Sequence, residues 1–391
     1  MKKLKLKEVS DIYGGYAFKS KDFGVGENFV VKIKDIKPPI IDVENADKVD
    51  VSKYSTQKLE KFKVFPDDIV IAMTGATIGK VGRNKSGRTV FLNQRVSKIN
   101  PNFKEDLDFI YYCINNTVFL EYVLNNVDSK SAQANISHFG IGNFEINWYD
   151  RETRQKIAKV LTCLDDKIFI NSQINQELEA MAKTLYDYWF VQFDFPDQNG
   201  NPYKSSGGKM VYHPGLKREI PEGWGVEKLK YFLTIKNGKD HKHLQDGKFA
   251  VDGSGGIMRT VANYLYSGES ILFPRKGTLN NVMYINEKFW TVDTMFYSEV
   301  NKNNSALYVF YSVKDIDFNK LNTGTGVPSM TSSILYDLNI IVPEENILEK
   351  FNTIVKQNYE TIKLNSIQNQ ELTQLRDWLL PMLMNGQVKV E

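Results

Sequence analysis

The chain has only two cysteines in 391 residues, Cys113 and Cys163, in different segments and without a CxxC. That excludes a disulfide framework and a cysteine-ligated zinc site, and it accords with a reducing, cytoplasmic setting. Histidine is as scarce, with four in the chain. No run approaches the roughly 18 apolar residues that a membrane-spanning helix needs, so no membrane partner is expected. The opening MKKLKLKEVS is basic, but no apolar stretch follows it, so it does not read as a secretory signal. Neither sign of charge is in real excess: 50 Lys and Arg against 47 Asp and Glu leave a formal net charge of +3. A balance that small does not announce nucleic-acid binding, and any such case must rest on local charge. What is present is an ordinary globular composition, 42% hydrophobic and 25% charged, over a length that suits roughly two or three domains.

The chain repeats itself. NSQINQEL at 171–178 recurs as NSIQNQEL at 365–372, with six of eight positions identical. At the same offset of 194, Ile146 aligns with Ile340, Ile168 with Ile362 and Leu185 with Leu379. Upstream the offset drifts: residues 77–81 align with 278–282, and Leu6, Ile12 and Gly15 with Leu229, Ile235 and Gly238 at 223. The drift locates a length difference between Lys32 and Pro66, where a loop would absorb it cheaply. Two long repeats of this kind predict a duplicated module with internal pseudo-twofold symmetry rather than a solenoid. The fold class is α+β: two β-rich domains at 1–149 and 223–343, each followed by a long helix, at 150–192 and 344–391. The runs DIVIAM, TVFLNQRV, ESILFP and VMYINEKFW, set between Gly- and Asn-rich turns, read as strands, and 105–125 as helical. Residues 193–222, dense in Pro, Gly and Ser, read as a long ordered connector.

The helical parts are more specific. Ile157, Leu161, Leu164, Ile168, Asn171, Asn175, Leu178, Ala182, Leu185 and Trp189 fall at unbroken 4-3 spacing. Phe351, Val355, Asn358, Ile362, Asn365, Asn369, Leu372, Arg376, Leu379 and Leu383 repeat that spacing in the second half. An amphipathic helix packed on its own domain is the plain alternative. A seam of about five heptads is a coiled-coil signature, and two features favour it here: Asn at the same two seam positions in both helices, where buried amides set register, and the length of each helix. Antiparallel pairing about a dyad between Asn171 and Asn175 would set Asn171 against Asn369 and Asn175 against Asn365. The first helix would run on the order of 55 Å, ending before Pro196, and Pro381 would break the second near its end.

The catalytic inventory is thin, and no catalytic or metal-ligating set is assigned. GATIGKVG at 75–82 has one residue too few for a P-loop and Val81 where Ser or Thr must stand, so it reads as a glycine turn. NPY at 201–203 lacks the second proline and preceding strand of an adenine-flipping motif. His241 and His243, with Asp240 and Asp246 nearby, read as an exposed polar turn before a metal site. An enzyme with an unrecognised site there is the reading that stoichiometric metal in purified protein would support.

Local charge tells more. Residues 69–104 contain no Asp or Glu but hold Lys80, Arg83, Lys85, Arg88, Arg95 and Lys98, interleaved with Asn84, Asn93 and Gln94. The matching stretch 270–286 is also free of acids and carries Arg275, Lys276, Thr278, Asn280 and Asn281. Cations anchor phosphates, while Asn, Gln and Arg make paired hydrogen bonds to base edges. The polar loops at 129–138 and 324–333 add Gln133, Asn135 and His138 in one half and Ser329 and Thr331 in the other. A solvated basic face is the commoner meaning of one such run; its appearance in both halves argues for double-stranded DNA.

These pieces carry a resemblance. RQKIAKVLTCLDDKIFINSQINQELEAMAKTLYDYWFVQF (154–193), YKSSGGKMVYHPGLKREIPEGW (203–224) and LNSIQNQELTQLRDWLLPMLMNGQV (364–388) resemble the specificity (S) subunit of type I restriction-modification enzymes. DIVIAMTGATIGKVG and SILFPRKGTLNNV resemble the turn within each target-recognition domain of that family, the first with Met73-Thr74-Gly75-Ala76 in place of RKGT. The resemblance implies a non-catalytic subunit in which each domain reads half of a bipartite target and the helices fix the spacer. It implies docking of two modification subunits, which bring S-adenosylmethionine and flip an adenine, and of restriction subunits that use ATP and Mg. An autonomous DNA-binding or architectural protein without enzymatic partners is the alternative.

Overall fold

The computed structural model describes residues 1–127, 134–324 and 326–390. It divides into two compact units, Met1–Ile170 with Gln368–Glu391, and Asn171–Ile367.

In the first unit the strand Ile69–Ala72 is buried at every position. Strand alternation sends Ile69 and Ile71 into a core shared with Phe109, Tyr112 and Leu161, and Val70 and Ala72 into another with Val31, Val64 and Leu92. Covering on both faces is why DIVIAM is a continuous apolar run. This strand lies inside a six-stranded sheet, in the order Ser10–Gly14, Val96–Pro101, Ile69–Ala72, Val81–Arg83, Ile40–Ile41, Ile36–Lys37. A four-stranded sheet lies beside it in sequence terms, built from Asp47–Val49, Phe23–Val31, Val90–Leu92 and Lys63–Val64. The helical stretch is two helices, Leu107–Ile114 and Thr117–Asn125, the second capped by Asn116, whose side chain accepts from the Phe119 N–H at 2.9 Å.

The second unit repeats this plan. Lys2–Lys5 pairs with Glu145–Trp148 with Leu4 opposite Ile146, and Gly225–Lys228 pairs with Asn339–Val342 with Glu227 opposite Ile340. Those two registers reproduce the sequence offsets of 223 and 194. The six-stranded sheet here runs Leu233–Asn237, Met295–Val300, Tyr266–Pro274, Met283–Thr291, Asp246–Gly253, Gly256–Val261. Leu6 and Leu229, matched by the repeat, are both fully buried. The length difference falls after Val31, whose register partner Leu92 corresponds to the pair Asp252 and Thr291. It is not a bare loop: the extra residues include the paired strands Ile36–Lys37 and Ile40–Ile41.

The long helices are Arg151–Tyr186 and Glu345–Met384. Every seam position named above is buried or half-buried. In the second unit the Asn365 amide donates to the Asn175 side-chain oxygen at 2.9 Å, and Trp189 lies against Phe351. In the first unit Arg376 donates to Asp165 at 2.8 Å and Asn369 to the Ile168 carbonyl at 3.4 Å. In each unit the two helix segments therefore run antiparallel. Asn171 is fully buried and Asn369 half-buried. Pro381 does not break its helix, which continues to Met384. Proline forfeits one backbone bond to the preceding turn, and the single turn beyond it is held by buried Leu380 and Leu383 and by Asn147 and Tyr149 donating to the Met384 carbonyl, each at 3.0 Å. The segment 193–222 folds a hairpin, Met210–His213 with Arg218–Pro221, and Phe195 stacks on Tyr203 and Trp224 with ring centroids 4.7 Å apart in both pairs. Among the described residues no helix is long and apolar enough to cross a membrane.

Candidate nucleic-acid interface

Each unit brings four loops together at the ends of its central strands, with the same backbone bonds. In the second unit the Arg275 and Lys276 N–H groups donate to the Thr294 carbonyl at 2.8 and 3.1 Å, and Gly277 donates to Pro328 at 3.2 Å. Lys276 also bridges Ser329, and Gly238 donates to the Met295 carbonyl at 2.9 Å. In the first unit Met73 donates to the Arg95 carbonyl at 3.0 Å, Gly75 to Ala134 at 3.2 Å and Gly15 to Val96 at 2.9 Å, while Thr74 bridges Asn135. Gly15 and Gly238 occupy matched positions because nothing larger fits: a Cβ there would lie 1.9 Å from the Asn93 carbonyl oxygen and 2.0 Å from that of Val292.

The side chains on this common frame differ. In the second unit Arg275, Lys276 and Thr278 are exposed, above the buried anchor Leu279. Asn280 and Asn281 serve the turn itself, donating to Asp317 at 3.2 Å and to the Ser254 carbonyl at 2.8 Å. Thr331 caps the short helix Ser332–Tyr336, its hydroxyl accepting from Ile334. In the first unit the positions of Arg275 and Lys276 are taken by buried Met73 and Thr74, and the Thr74 hydroxyl donates to the Ala134 carbonyl at 3.0 Å. The cation stands instead on the neighbouring turn, where Gln94 and Arg95 are exposed beside half-buried Asn93. Asn135 and His138 join that cluster, with a Cβ on Gly14 falling 2.5 Å from His138 Nε2. Desolvation pushes the His138 imidazole below its usual pKa, so it is neutral at neutral pH.

Two stretches of the chain, residues 1–180 and 221–374, match the family described as type I restriction modification DNA specificity domain. The chain belongs to that family. It is 27% identical to the MjaIX type I restriction enzyme specificity subunit of Methanocaldococcus jannaschii, over 99% of this chain and 93% of that one. It is 24% identical to the HindI type I restriction enzyme specificity subunit of Haemophilus influenzae, over 74% of this chain and 79% of that one. Its fold is similar to the crystal structure of a type I restriction-modification S subunit from M. genitalium, with a TM-score of 0.62, 17% identity, and coverage of 98% of this chain and 96% of that chain.

Within this specificity-domain frame, several residues singled out by charge lie away from the loop cluster. Arg83 is buried, its guanidinium 2.7 Å from Asp108 and over the Tyr111 ring, so it is part of the packing. Lys85 pairs with Asp67 at 2.9 Å and Arg88 with Glu44 at 3.5 Å, both beyond the far ends of the strands that carry the cluster. Lys98 is buried against Asp68 at 3.1 Å, and the Asn84 amide is spent on three backbone carbonyls. Lys80 is exposed in a different place, lining a cleft of about 560 Å³ with Tyr112, Asn116 and Arg376. Gln133 lies outside the described residues. At the turn of His241 and His243, His243 lies 3.7 Å from Asp240 and edge-on to Trp290, and among the described residues no His, Cys, Asp and Glu groups gather as metal ligands. Two cluster residues carried no charge-run signal: Lys239, whose N–H donates to the Thr291 carbonyl at 2.9 Å, and Asp293. The alignment of Gly15 with Gly238 was the available pointer to the first.

Proposed function

We propose that this chain is the sequence-specific DNA-binding subunit of a type I restriction-modification enzyme and reads one half of a bipartite duplex target with each loop cluster. The observation that carries this reading is the duplicated frame. The same backbone bonds hold the same loops in both units, while the exposed side chains on them differ, as two readers of two different half-sites require. Arg275, Lys276 and Thr278 in the second unit, and Gln94, Arg95, Asn135 and His138 in the first, are the proposed contacts. The paired helices act as the spacer ruler and dock two modification subunits, with restriction subunits completing the enzyme. S-adenosylmethionine, ATP and Mg belong to those partners, this chain is non-catalytic, and the assembly works in the cytoplasm. The names of the curated relatives and the family match support the assignment; the geometry supports the placement of the readers.

Exchanging residues 223–343 for the corresponding domain of another specificity subunit tests it. Selection of bound duplexes from a random library is expected to show one half-site changed and the other intact. A change in both halves contradicts one reader per domain.

A further inference from the structure

One position on the frame is chemically out of place. In the second unit Val292–Met295 forms a tight turn, closed by the Met295 N–H donating to the Val292 carbonyl at 2.9 Å, and Asp293 sits exposed on it. The first unit has the same turn at Asn93–Val96, closed at 2.9 Å, with Gln94 exposed at the equivalent place. Both turns are fixed from several sides. The Val292 N–H donates to the Asp252 carbonyl at 3.1 Å, Arg275 and Lys276 donate to Thr294, and Gly238 donates to Met295; in the first unit Asn93 donates to Val31 at 3.0 Å, with Met73 on Arg95 and Gly15 on Val96.

The turn that carries Asp293 is thus flanked by Lys239, whose N–H bonds Thr291, and by Arg275 and Lys276, whose N–H groups bond Thr294, all three exposed, yet among the described residues the Asp293 carboxylate makes no ion pair with any of them. A bare carboxylate on a surface that meets phosphates repels them, so it weakens general DNA affinity. Its chemistry is useful at one kind of target: an amino group on a base edge, where an acceptor-only side chain takes a hydrogen bond from cytosine N4. Gln94 at the matched position carries both a donor and an acceptor, the pair that suits adenine N6 and N7. From this we infer that the tip of this turn is a base-reading position in each domain, with Asp293 selecting cytosine in the second half-site and Gln94 selecting adenine in the first. The inference rests on the DNA-reading function proposed above and adds Asp293 to it.

The test is selection from a random duplex library by the full-length chain, purified with the partners that assemble on it, as wild type, Asp293→Asn and Gln94→Glu. The wild type is expected to enrich a two-part motif. Asp293→Asn is expected to lose about ten- to a hundredfold of the preference for cytosine at one position of one half-site, keep the other half-site, and bind random DNA more tightly. Gln94→Glu is expected to shift one position of the opposite half-site from adenine to cytosine. If the wild type enriches its motif and both variants enrich the same one unchanged, the turn is merely solvated and the inference fails while the DNA-reading function stands. If the wild type enriches nothing, the proposed function itself fails.

Discussion

Arg83 and Lys276 both belong to acid-free stretches, but their surroundings give them different work. Arg83 is 7% exposed and paired with Asp108, so Arg83→Ala is expected to cost about 2 kcal/mol of stability in denaturant melts and to leave the salt dependence of DNA binding unchanged. Lys276 is exposed, so Lys276→Ala is expected to leave stability within about 0.5 kcal/mol and to reduce the slope of log K against log salt by about one. Asp252 offers a pH test. It is buried where the first unit has Val31, one of its oxygens has no partner among the described residues, and burial, then Glu287, pushes its pKa up to about 6. Below the unfolded value, about pH 4, both states are neutral and the penalty vanishes; as pH rises from about 4 to about 6 the unfolded chain ionises while the folded state resists, so stability falls by on the order of 2–3 kcal/mol and levels off above about 6. Asp252→Asn is therefore expected to melt higher than wild type at neutral pH and to lose its advantage near pH 4. An advantage that persists at pH 4 would contradict this. Residue types and spacings were legible in the sequence at this scale, but burial was not: Arg83 and Lys98 look like their exposed neighbours until the fold places Asp108 and Asp68 against them.

At the scale of elements, periodicity was the strongest signal. A 3.5-residue repeat turns one stripe of each helix inward, burying Ile157 and Leu161 in the core of the first unit and Phe351 and Val355 in that of the second, and the matched Asn residues marked the register that places Asn365 on Asn175. The strand Ile69–Ala72 was legible as an apolar run because both its faces are covered, whereas the order of strands in the sheets depends on contacts far apart in sequence. Pro381 misled because a proline rule speaks for the helix alone and not for the packing of Leu380 and Leu383. The ruler role has a direct check. Inserting one helical turn at Asn171–Asn175, with a matching insertion at Asn365–Asn369, is expected to lengthen the spacer between half-sites by about one or two base pairs. A spacer of unchanged length would remove the ruler.

For the molecule as a whole, duplication organises everything else. The offsets of 223 and 194 read from sequence reappear as strand registers, Leu4 on Ile146 and Glu227 on Ile340, so the repeat is one of backbone as well as of letters. At the loop cluster what varies between the halves is the side chains on a shared frame: Met73 and Thr74 against Arg275 and Lys276, Gln94 against Asp293. Small net charge fits this arrangement, because only a few cations are exposed on the loop clusters and the two helical stretches carry slightly more acids than bases. One chain with two readers is proposed to set the address of a methyltransferase. Single-molecule methylation sequencing of host DNA, with and without this gene, tests it most directly. The account predicts that N6-methyladenine disappears from one bipartite motif, interrupted by a fixed spacer, and is retained elsewhere. An unchanged pattern of methylation at every motif, with the gene removed and its partner subunits still expressed, would contradict it.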